Sequence, residues 1–308
     1  MNRFPGFVLQ RFAALAVILM LAGMPAAHAV IGAAPDSPTA LVDPNILSSP
    51  WSGVGSLVVD GSPYSAVLIA PGYVLTAAHV VYGKSPASMT FNLNVGSSFA
   101  GTIGVDSLYV NPGFAGFIPA ADGFVHSDLA VVKLSSSAPA GVSVYNLTQA
   151  PIKAGELLTF VGYGASGDGV NGVTVAGDSH VKRVGENHVE ILPANSPDVY
   201  GFSFDQFSTL GPREATLGPG DSGSPTFVKD LNGKWSLAGI NTFVGSISGG
   251  PTTPGTFGTI GGGMMLSAYA PWISSVVVSA VPEPSAGLLM LVGLGMAIIL
   301  SAVRTLVV

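Results

Sequence analysis

Three residue types that together perform acyl transfer occur in separate parts of this chain: a histidine, an aspartate and a serine. His79 closes the apolar stretch 74–79, Asp128 opens the apolar stretch 128–134, and Ser222 lies between glycines in Gly220-Asp221-Ser222-Gly223. An imidazole can take the proton of a serine hydroxyl while a carboxylate orients that imidazole. Glycines beside the serine permit a tight turn that exposes the hydroxyl. These blocks predict a nucleophilic serine site.

Other residues compete for the same roles. His126 lies two residues before Asp128 and is an alternative partner for it, and Asp106 and Asp122 are alternative acids. Both acids lie in loops without the apolar strand that follows Asp128, so Asp128 is the favoured acid. The serine block also has a purely structural explanation, since Gly, Asp and Ser are common in turns.

The segments that carry these residues have a β pattern. From Trp51 onward, short apolar runs alternate with Gly, Pro, Asn and Ser, and long amphipathic helical patterns are absent. Turn signals at 60–63 and 230–234 predict hairpins. Short strands with frequent turns indicate an all-β barrel or sandwich. The glycine-rich stretches 164–169 and 245–263 are expected to be a surface loop and a mobile loop.

The three blocks, in the order His, Asp, Ser, resemble the chymotrypsin/trypsin-type serine endopeptidases. His79 precedes Asp128 by 49 residues, and Asp128 precedes Ser222 by 94. The resemblance implies an all-β fold of two six-stranded antiparallel β-barrels with a short C-terminal helix at 266–273. It also implies a catalytic triad of His79, Asp128 and Ser222, with the backbone N–H groups of Gly220 and Ser222 as the oxyanion hole.

The same resemblance assigns residues to substrate binding. It places Thr216 at the base of the primary pocket with Leu217 beside it, and puts Thr242 and Val244 on the strand along which substrate lies. None of these residues is charged. The expected preference is therefore for small or medium apolar residues before the cleaved bond. Ser224 stands where the family usually has a second glycine, which leaves the geometry of the turn open.

The segment after Ala29 begins Val30-Ile31-Gly32-Ala33 and is similar to the family's activating N-terminus. In that family the new α-ammonium is buried against the aspartate beside the nucleophile, which implies an activation pair of Val30 and Asp221. We expect export to create this terminus. The alternative is that residues 30–50 form a loose arm, because they are rich in Pro, Ala and Ser.

The first 29 residues have the composition of a secretory signal peptide. Arg3 and Arg11 precede the apolar run 12–21, and Ala27-His28-Ala29 supplies a small-residue cleavage site. A membrane anchor is the alternative, but the apolar run is short for one. The sequence therefore predicts an exported protein.

The C-terminal residues 281–308 combine a Pro-Glu-Pro motif, an apolar stretch and a basic residue. Val281-Pro282-Glu283-Pro284 precedes an uncharged stretch, 284–303, and then comes Arg304. Twenty residues span about 30 Å as a helix, enough to cross a bilayer. This arrangement resembles the PEP-CTERM sorting signal of Gram-negative bacteria. The resemblance implies a transmembrane sorting helix, processing by an exosortase, and a cell-surface or secreted product from a Gram-negative bacterium. A permanent tail anchor is the alternative.

Composition limits the remaining possibilities. Without both ends, eight basic and 16 acidic residues give a net charge of −8, which disfavours nucleic-acid binding. The chain has no cysteine, so no disulfide stabilises it.

We expect one protease domain over 30–277, with barrel one at about 51–140 and barrel two at about 150–265. We expect no metal and no cofactor, with protein or peptide substrates as partners besides signal peptidase, exosortase and the membrane. Two rivals are an inactive surface binding protein and an esterase.

Overall fold

The computed structural model describes residues 30–95, 98–230, 232–246 and 249–279. The expected signal peptide and the expected transmembrane sorting helix both lie outside these ranges. Among the residues that the structure describes, no helix has the length and hydropathy needed to span a membrane.

Strands dominate the described ranges, as the turn-rich pattern predicts. In chain order they are β1 (Ile31–Gly32), β2 (Val54–Val59), β3 (Ser62–Ala70), β4 (Tyr73–Thr76), β5 (Met89–Val95), β6 (Ser98–Val110), β7 (Ala130–Leu134), β8 (Leu157–Gly162), β9 (Ser166–Asp168), β10 (Gly172–Val175), β11 (Arg183–His188), β12 (Val199–Ser203), β13 (Ala215–Thr216), β14 (Pro225–Lys229), β15 (Trp235–Ser246) and β16 (Thr259–Met265). The α-helices are α1 (Ser37–Ala40), α2 (Ala78–Val81) and α3 (Ala270–Ser279), and 3₁₀ turns cover Pro86–Ser88, Gly211–Arg213 and Leu266–Ala268.

The first half of the chain forms a closed six-stranded barrel in the order β2-β3-β4-β7-β6-β5. Its first hairpin turns at Asp60 and Gly61, which both have positive φ, 49° and 82°. Such a turn has the twist that two antiparallel strands require, and glycine adopts it without strain. The prediction of a first six-stranded barrel is confirmed.

The second half forms a six-stranded antiparallel sheet in the order β11-β8-β14-β15-β16-β12. The prediction of a second closed barrel is wrong in detail, because a single bridge between Ile191 and Gly201 is what joins the two edges. On the β11 side of this bridge, side chains replace backbone partners, since the Ser203 N–H donates to the Glu190 carboxylate at 2.9 Å and the Ser203 carbonyl accepts the Asn187 amide at 2.7 Å.

A small sheet in the order β10-β9-β1-β13 fixes the start of the described chain. Ile31 pairs with Thr216 and Gly32 pairs with Asp168. The stretch 164–169 is therefore a buried strand and turn, which corrects the expectation of a surface loop. The residues after Val30 are not a loose arm, because β1 lies between two other strands.

Buried polar contacts hold the next part of this arm without any disulfide. The Lys182 ammonium donates to the Trp51 carbonyl at 2.8 Å and lies 3.4 Å from the Asp43 carboxylate. Burial lowers the pKa of Lys182 to about 8, and Asp43 opposes that shift. Asp43 also accepts a hydrogen bond from Ser49 at 2.6 Å. Removing either charge would leave the other buried without its partner, which is strongly destabilising.

The end of the described chain differs slightly from expectation. A 3₁₀ turn over Leu266–Ala268 precedes α3, so the helix starts and ends later than the predicted range 266–273. A separate structural unit begins at Trp272, and its described part is the remainder of α3.

Candidate active site

The pairing of β4 with β7 brings His79 and Asp128 to the same end of the barrel. In this antiparallel pair Thr76 lies opposite Ala130. His79 follows the end of β4 by three residues, within α2, and Asp128 precedes the start of β7 by two. Because the strands are antiparallel, the residues that follow β4 and those that precede β7 lie at the same end of the barrel.

The contact between these two residues uses both carboxylate oxygens of Asp128. The Oδ1 atom accepts the His79 backbone N–H at 2.8 Å, and Oδ2 lies 2.7 Å from Nδ1 of the ring. A carboxylate can only accept, so Nδ1 carries a proton in this contact. Asp128 is 1% exposed, which shields the pair from water. Nε2 is thereby left free to accept a proton.

Ser222 lies in the turn before β14 of the second sheet and contacts the other nitrogen of the His79 ring. Its Oγ atom lies 2.8 Å from Nε2 of His79. The turn that carries it needs glycine at two positions, since Gly220 has a φ of +89° and Gly223 a φ of +82°. At Gly223 an added Cβ would come within 2.0 Å of the Thr76 hydroxyl oxygen. The serine turn therefore packs tightly against the histidine strand.

Ser65 in β3 connects this turn to the first barrel. Its backbone N–H donates to the Ser222 carbonyl at 3.2 Å, and its hydroxyl accepts the Tyr163 N–H at 3.0 Å. Thr76 donates its hydroxyl to the Ser65 carbonyl at 2.9 Å. These bonds fix the distance between the two halves of the site.

The substitution of serine for glycine at position 224 is compatible with the turn. Ser224 is not among the described non-glycine residues that have positive φ. Its hydroxyl accepts a hydrogen bond from the Asn241 side chain at 2.8 Å, and its carbonyl accepts the Asn241 backbone N–H at 2.9 Å. The turn thus needs no glycine at this position.

The rival residues have other partners. The ring nitrogens of His126 contact Asp198 and Asp122, not Asp128. Asp106 pairs with Lys133 at 2.7 Å. The structure therefore leaves Asp128 as the acid that contacts His79.

The backbone N–H groups of Gly220 and Ser222 have no protein acceptor within the described ranges. Other N–H groups of the same turn are bonded: Asp221 donates to Gly218 and Gly223 donates to Asn241. Two unpaired donors beside a serine hydroxyl are the feature that an oxyanion hole requires.

Asp221, the neighbour of the serine, is fully enclosed. It accepts N–H groups from Val30 at 2.7 Å, from Gly218 at 2.9 Å and from Gly164 at 3.0 Å. Burial raises the pKa of Asp221 to about 6, although these three donors act to lower it. The predicted Val30–Asp221 pair is thus in direct contact.

The residues assigned to substrate binding lie in the second half of the chain. Thr216 is 1% exposed in β13, and its hydroxyl has no hydrogen-bond partner. Leu217 and Val244 belong to one apolar cluster, in which Leu217 is buried and Val244 half-buried. Thr242 is 9% exposed, at the irregularity between Asn241 and Phe243 in the pairing of β15 with β16.

Phe117 is a residue at the site that sequence reasoning missed. Its ring centroid lies 4.8 Å from that of His79. It belongs to the loop between β6 and β7, and it is 36% exposed. The aromatic residues of this loop (Phe114, Phe117 and Phe124) were a signal that such a surface exists, but the sequence gives no distance to His79.

A serine, a histidine and an aspartate in hydrogen-bonded series, supplied by two β-sheets, form the arrangement of a serine hydrolase. A comparison with protein-family models matched the family described as Trypsin over residues 43–273. The chain therefore belongs to the trypsin family and is a serine protease of the chymotrypsin type. A comparison with curated proteins gave no match.

Proposed function

We propose that this protein is an endopeptidase that hydrolyses peptide bonds through an acyl-enzyme on Ser222. The observation that carries the proposal is the unbroken series from Asp128 to Nδ1 of His79 at 2.7 Å and from Nε2 to the Ser222 hydroxyl at 2.8 Å. This tautomer presents a neutral nitrogen to the hydroxyl proton, as general-base catalysis requires.

Each step uses a group already in position. Ser222 Oγ attacks the carbonyl carbon and its proton passes to Nε2 of His79. The Gly220 and Ser222 N–H groups stabilise the developing oxyanion. His79 then protonates the leaving amine. Water next attacks the acyl carbon, and His79 takes the water proton and returns it to Ser222 Oγ as the acid product leaves. Loss of one oxyanion donor generally costs about 10²- to 10³-fold in rate.

We further propose that the active form begins at Val30. The 2.7 Å contact between the Val30 nitrogen and Asp221 supports this, because a free ammonium there would neutralise a fully buried carboxylate. The position of β1 between β9 and β13 would hold that terminus in place.

The apolar character of Leu217 and Val244, with the uncharged Thr216, supports cleavage after small or medium apolar residues. A pocket without a carboxylate has nothing to pair with lysine or arginine. Export, surface or secreted location, and a sorting tail processed by an exosortase in a Gram-negative bacterium belong to the same proposal, and they rest on the residues at both ends of the chain.

Hydrolysis of a peptide and of the ester with the same acyl group tests this proposal. We expect the full chain, expressed for export, to cleave both, and Ser222→Ala and His79→Ala to cleave neither. Cleavage of the ester alone would make the protein an esterase. A folded wild type that cleaves neither would make it a binding protein.

A further inference from the structure

A second histidine forms a bridge beside the loop that delivers Asp128. Nε2 of His126 lies 2.8 Å from Asp122, in the same loop between β6 and β7. Its Nδ1 lies 2.9 Å from Asp198, in the segment before β12 of the second sheet. One imidazole therefore links the loop that ends at Asp128 to the opposite half of the molecule.

Between two ionised carboxylates, only the doubly protonated ring can donate a hydrogen bond in both contacts. A neutral imidazole has one donor and one acceptor nitrogen, and a carboxylate can only accept. In the neutral ring one nitrogen lone pair would face a carboxylate oxygen, so one of the two contacts would be repulsive. The observed geometry is therefore that of an imidazolium.

A second path connects the same carboxylate to the residue before Asp128. The Tyr269 hydroxyl donates to Asp198 and accepts the Ser127 backbone N–H at 3.0 Å. Ser127 has a φ of +59°, a conformation that a non-glycine residue holds only when its surroundings fix it. Asp198 thus supports the backbone immediately before Asp128 as well as the ring of His126.

We propose that His126 is a positioning residue for Asp128, that it acts only as the imidazolium, and that its deprotonation releases the loop and lowers turnover. The titratable groups facing it are Asp122 from its own loop and Asp198 from the second sheet, with Tyr269 behind Asp198. His126 touches no reacting atom. It acts by fixing the position of Asp128, which in turn orients the His79 ring toward Ser222.

The charges around the ring agree with this geometry. Burial disfavours the imidazolium, but the hydrogen bonds to Asp198 and Asp122 outweigh it and raise the pKa of His126. Asp122 is also held by the Ser196 hydroxyl at 2.5 Å. Burial raises the pKa of Tyr269, so its hydroxyl keeps its proton over the pH range in which His126 loses one.

The kinetic consequence rests on the proposed function. We expect kcat to fall by about tenfold or more as pH rises through the titration of His126, because small misplacements of a catalytic group are costly. His126→Arg, which keeps a permanent charge and planar donors, should retain turnover at a pH where wild type has lost it. Asp122→Asn removes one partner charge and should move the alkaline decline to lower pH.

The test combines ¹³C-histidine NMR titration of the full chain with the pH profile of kcat, and His126→Gln assigns the resonance. A Val30 ammonium would also lose its proton at alkaline pH and could lower kcat by itself. The decisive result is therefore that Asp122→Asn lowers, by the same amount, the pH at which His126 is half-protonated and the pH at which kcat has fallen by half. A His126 that titrates at or below its ordinary value of about 6.5 overturns the proposal. So does a kcat profile that is unchanged in both Asp122→Asn and His126→Arg.

NMR also separates failure of the proposal from failure of the proposed function. The Nδ1 proton of His79, shifted downfield by Asp128, should broaden at the His126 midpoint whether or not any substrate is cleaved. If it does so in a protein without activity, the endopeptidase assignment fails and the positioning role stands. If it persists beyond that midpoint in an active enzyme, the positioning role fails alone.

Discussion

Val30 and Asp221, 191 residues apart, are joined by a hydrogen bond of 2.7 Å in which the Val30 N–H donates to a fully buried carboxylate. Burial raises the pKa of Asp221 to about 6, although its three neutral N–H donors and the charge of Arg183 act to lower it. A free ammonium at Val30 would instead favour the ionised carboxylate. Cleavage before Val30 therefore changes the charge balance beside Ser222.

This cleavage should reverse the contribution of Asp221 to the pH dependence of stability. In the uncut chain the folded-state pKa is raised above the ordinary 3.8, so stability from this group is full below that value and is lost as pH rises through about 6. In the cut chain the ammonium lowers the pKa, so the contribution is gained as pH rises. The uncut chain should lose up to about 3 kcal/mol of stability over this pH range, whereas the cut chain should not.

Urea denaturation from about pH 4 to 7 measures this difference. Two Ser222→Ala chains should be compared, one starting at Val30 and one starting at Ala29, which adds a residue without a titratable side chain. Parallel curves of the free energy of unfolding against pH would contradict the role assigned to the terminus.

Gly223→Ala should abolish activity and destabilise the protein by about 2–4 kcal/mol. The added Cβ would lie 2.0 Å from the Thr76 hydroxyl oxygen and 2.3 Å from the Ser65 carbonyl oxygen, and overpacking of this kind adds to the backbone strain. Gly61→Ala is the matched control, since Gly61 has the same φ of +82° and nothing within 4 Å of an added Cβ. It should cost about 1 kcal/mol and leave kcat unchanged. Similar losses in the two variants would show that the contact at Gly223 has no special importance.

Glu214→Gln should stabilise the protein at about pH 8 and leave it unchanged at about pH 4. Glu214 is 1% exposed. Burial raises its pKa to about 7, helped by the charges of Asp205 and Glu190 and opposed by the Asp205 N–H bond. Its contribution to stability is present below the ordinary 4.5 and is lost as pH rises through about 7. The expected gain is about 1–3 kcal/mol by urea denaturation, with Glu156→Gln as control. A gain that is equal at both pH values would refute the explanation.

Peptides with Ala or Val before the cleaved bond should be hydrolysed faster than peptides with Arg or Lys. Removing part of the Val244 side chain in Val244→Ala should shift preference toward larger apolar residues by about tenfold, the effect usual for a small change in pocket volume. A peptide library profiled by mass spectrometry, run in parallel with wild type, measures both. Preferred cleavage after Arg would refute the apolar assignment.

The sequence predicted the three reactive residues because their types and their position beside apolar strands are local properties. The pattern of short strands and turns predicted a barrel or sandwich, and the family resemblance predicted the six-stranded first barrel and the contact of Val30 with Asp221. The sequence did not predict that the second sheet stays open, since that depends on the hydrogen bonds of the Asn187 and Glu190 side chains to the Ser203 backbone.

The sequence also did not predict which residues contact His126. Proximity along the chain suggested Asp128, whereas the fold supplies Asp122 from the same loop and Asp198 from the other sheet. Phe117 was missed for a similar reason, because its contact with His79 depends on the path of a long loop. Both cases concern tertiary contacts that no local pattern encodes.

Covalent labelling of the exported protein by a fluorophosphonate, followed by intact mass, tests the central claim most directly. The reagent reacts with a serine only when that serine is activated by a neighbouring base. Wild type and the exposed-serine control Ser136→Ala should each gain one label, whereas folded Ser222→Ala and His79→Ala should gain none. A folded wild type that stays unlabelled, or a Ser222→Ala protein that labels as wild type does, would contradict the assignment of Ser222 as the nucleophile.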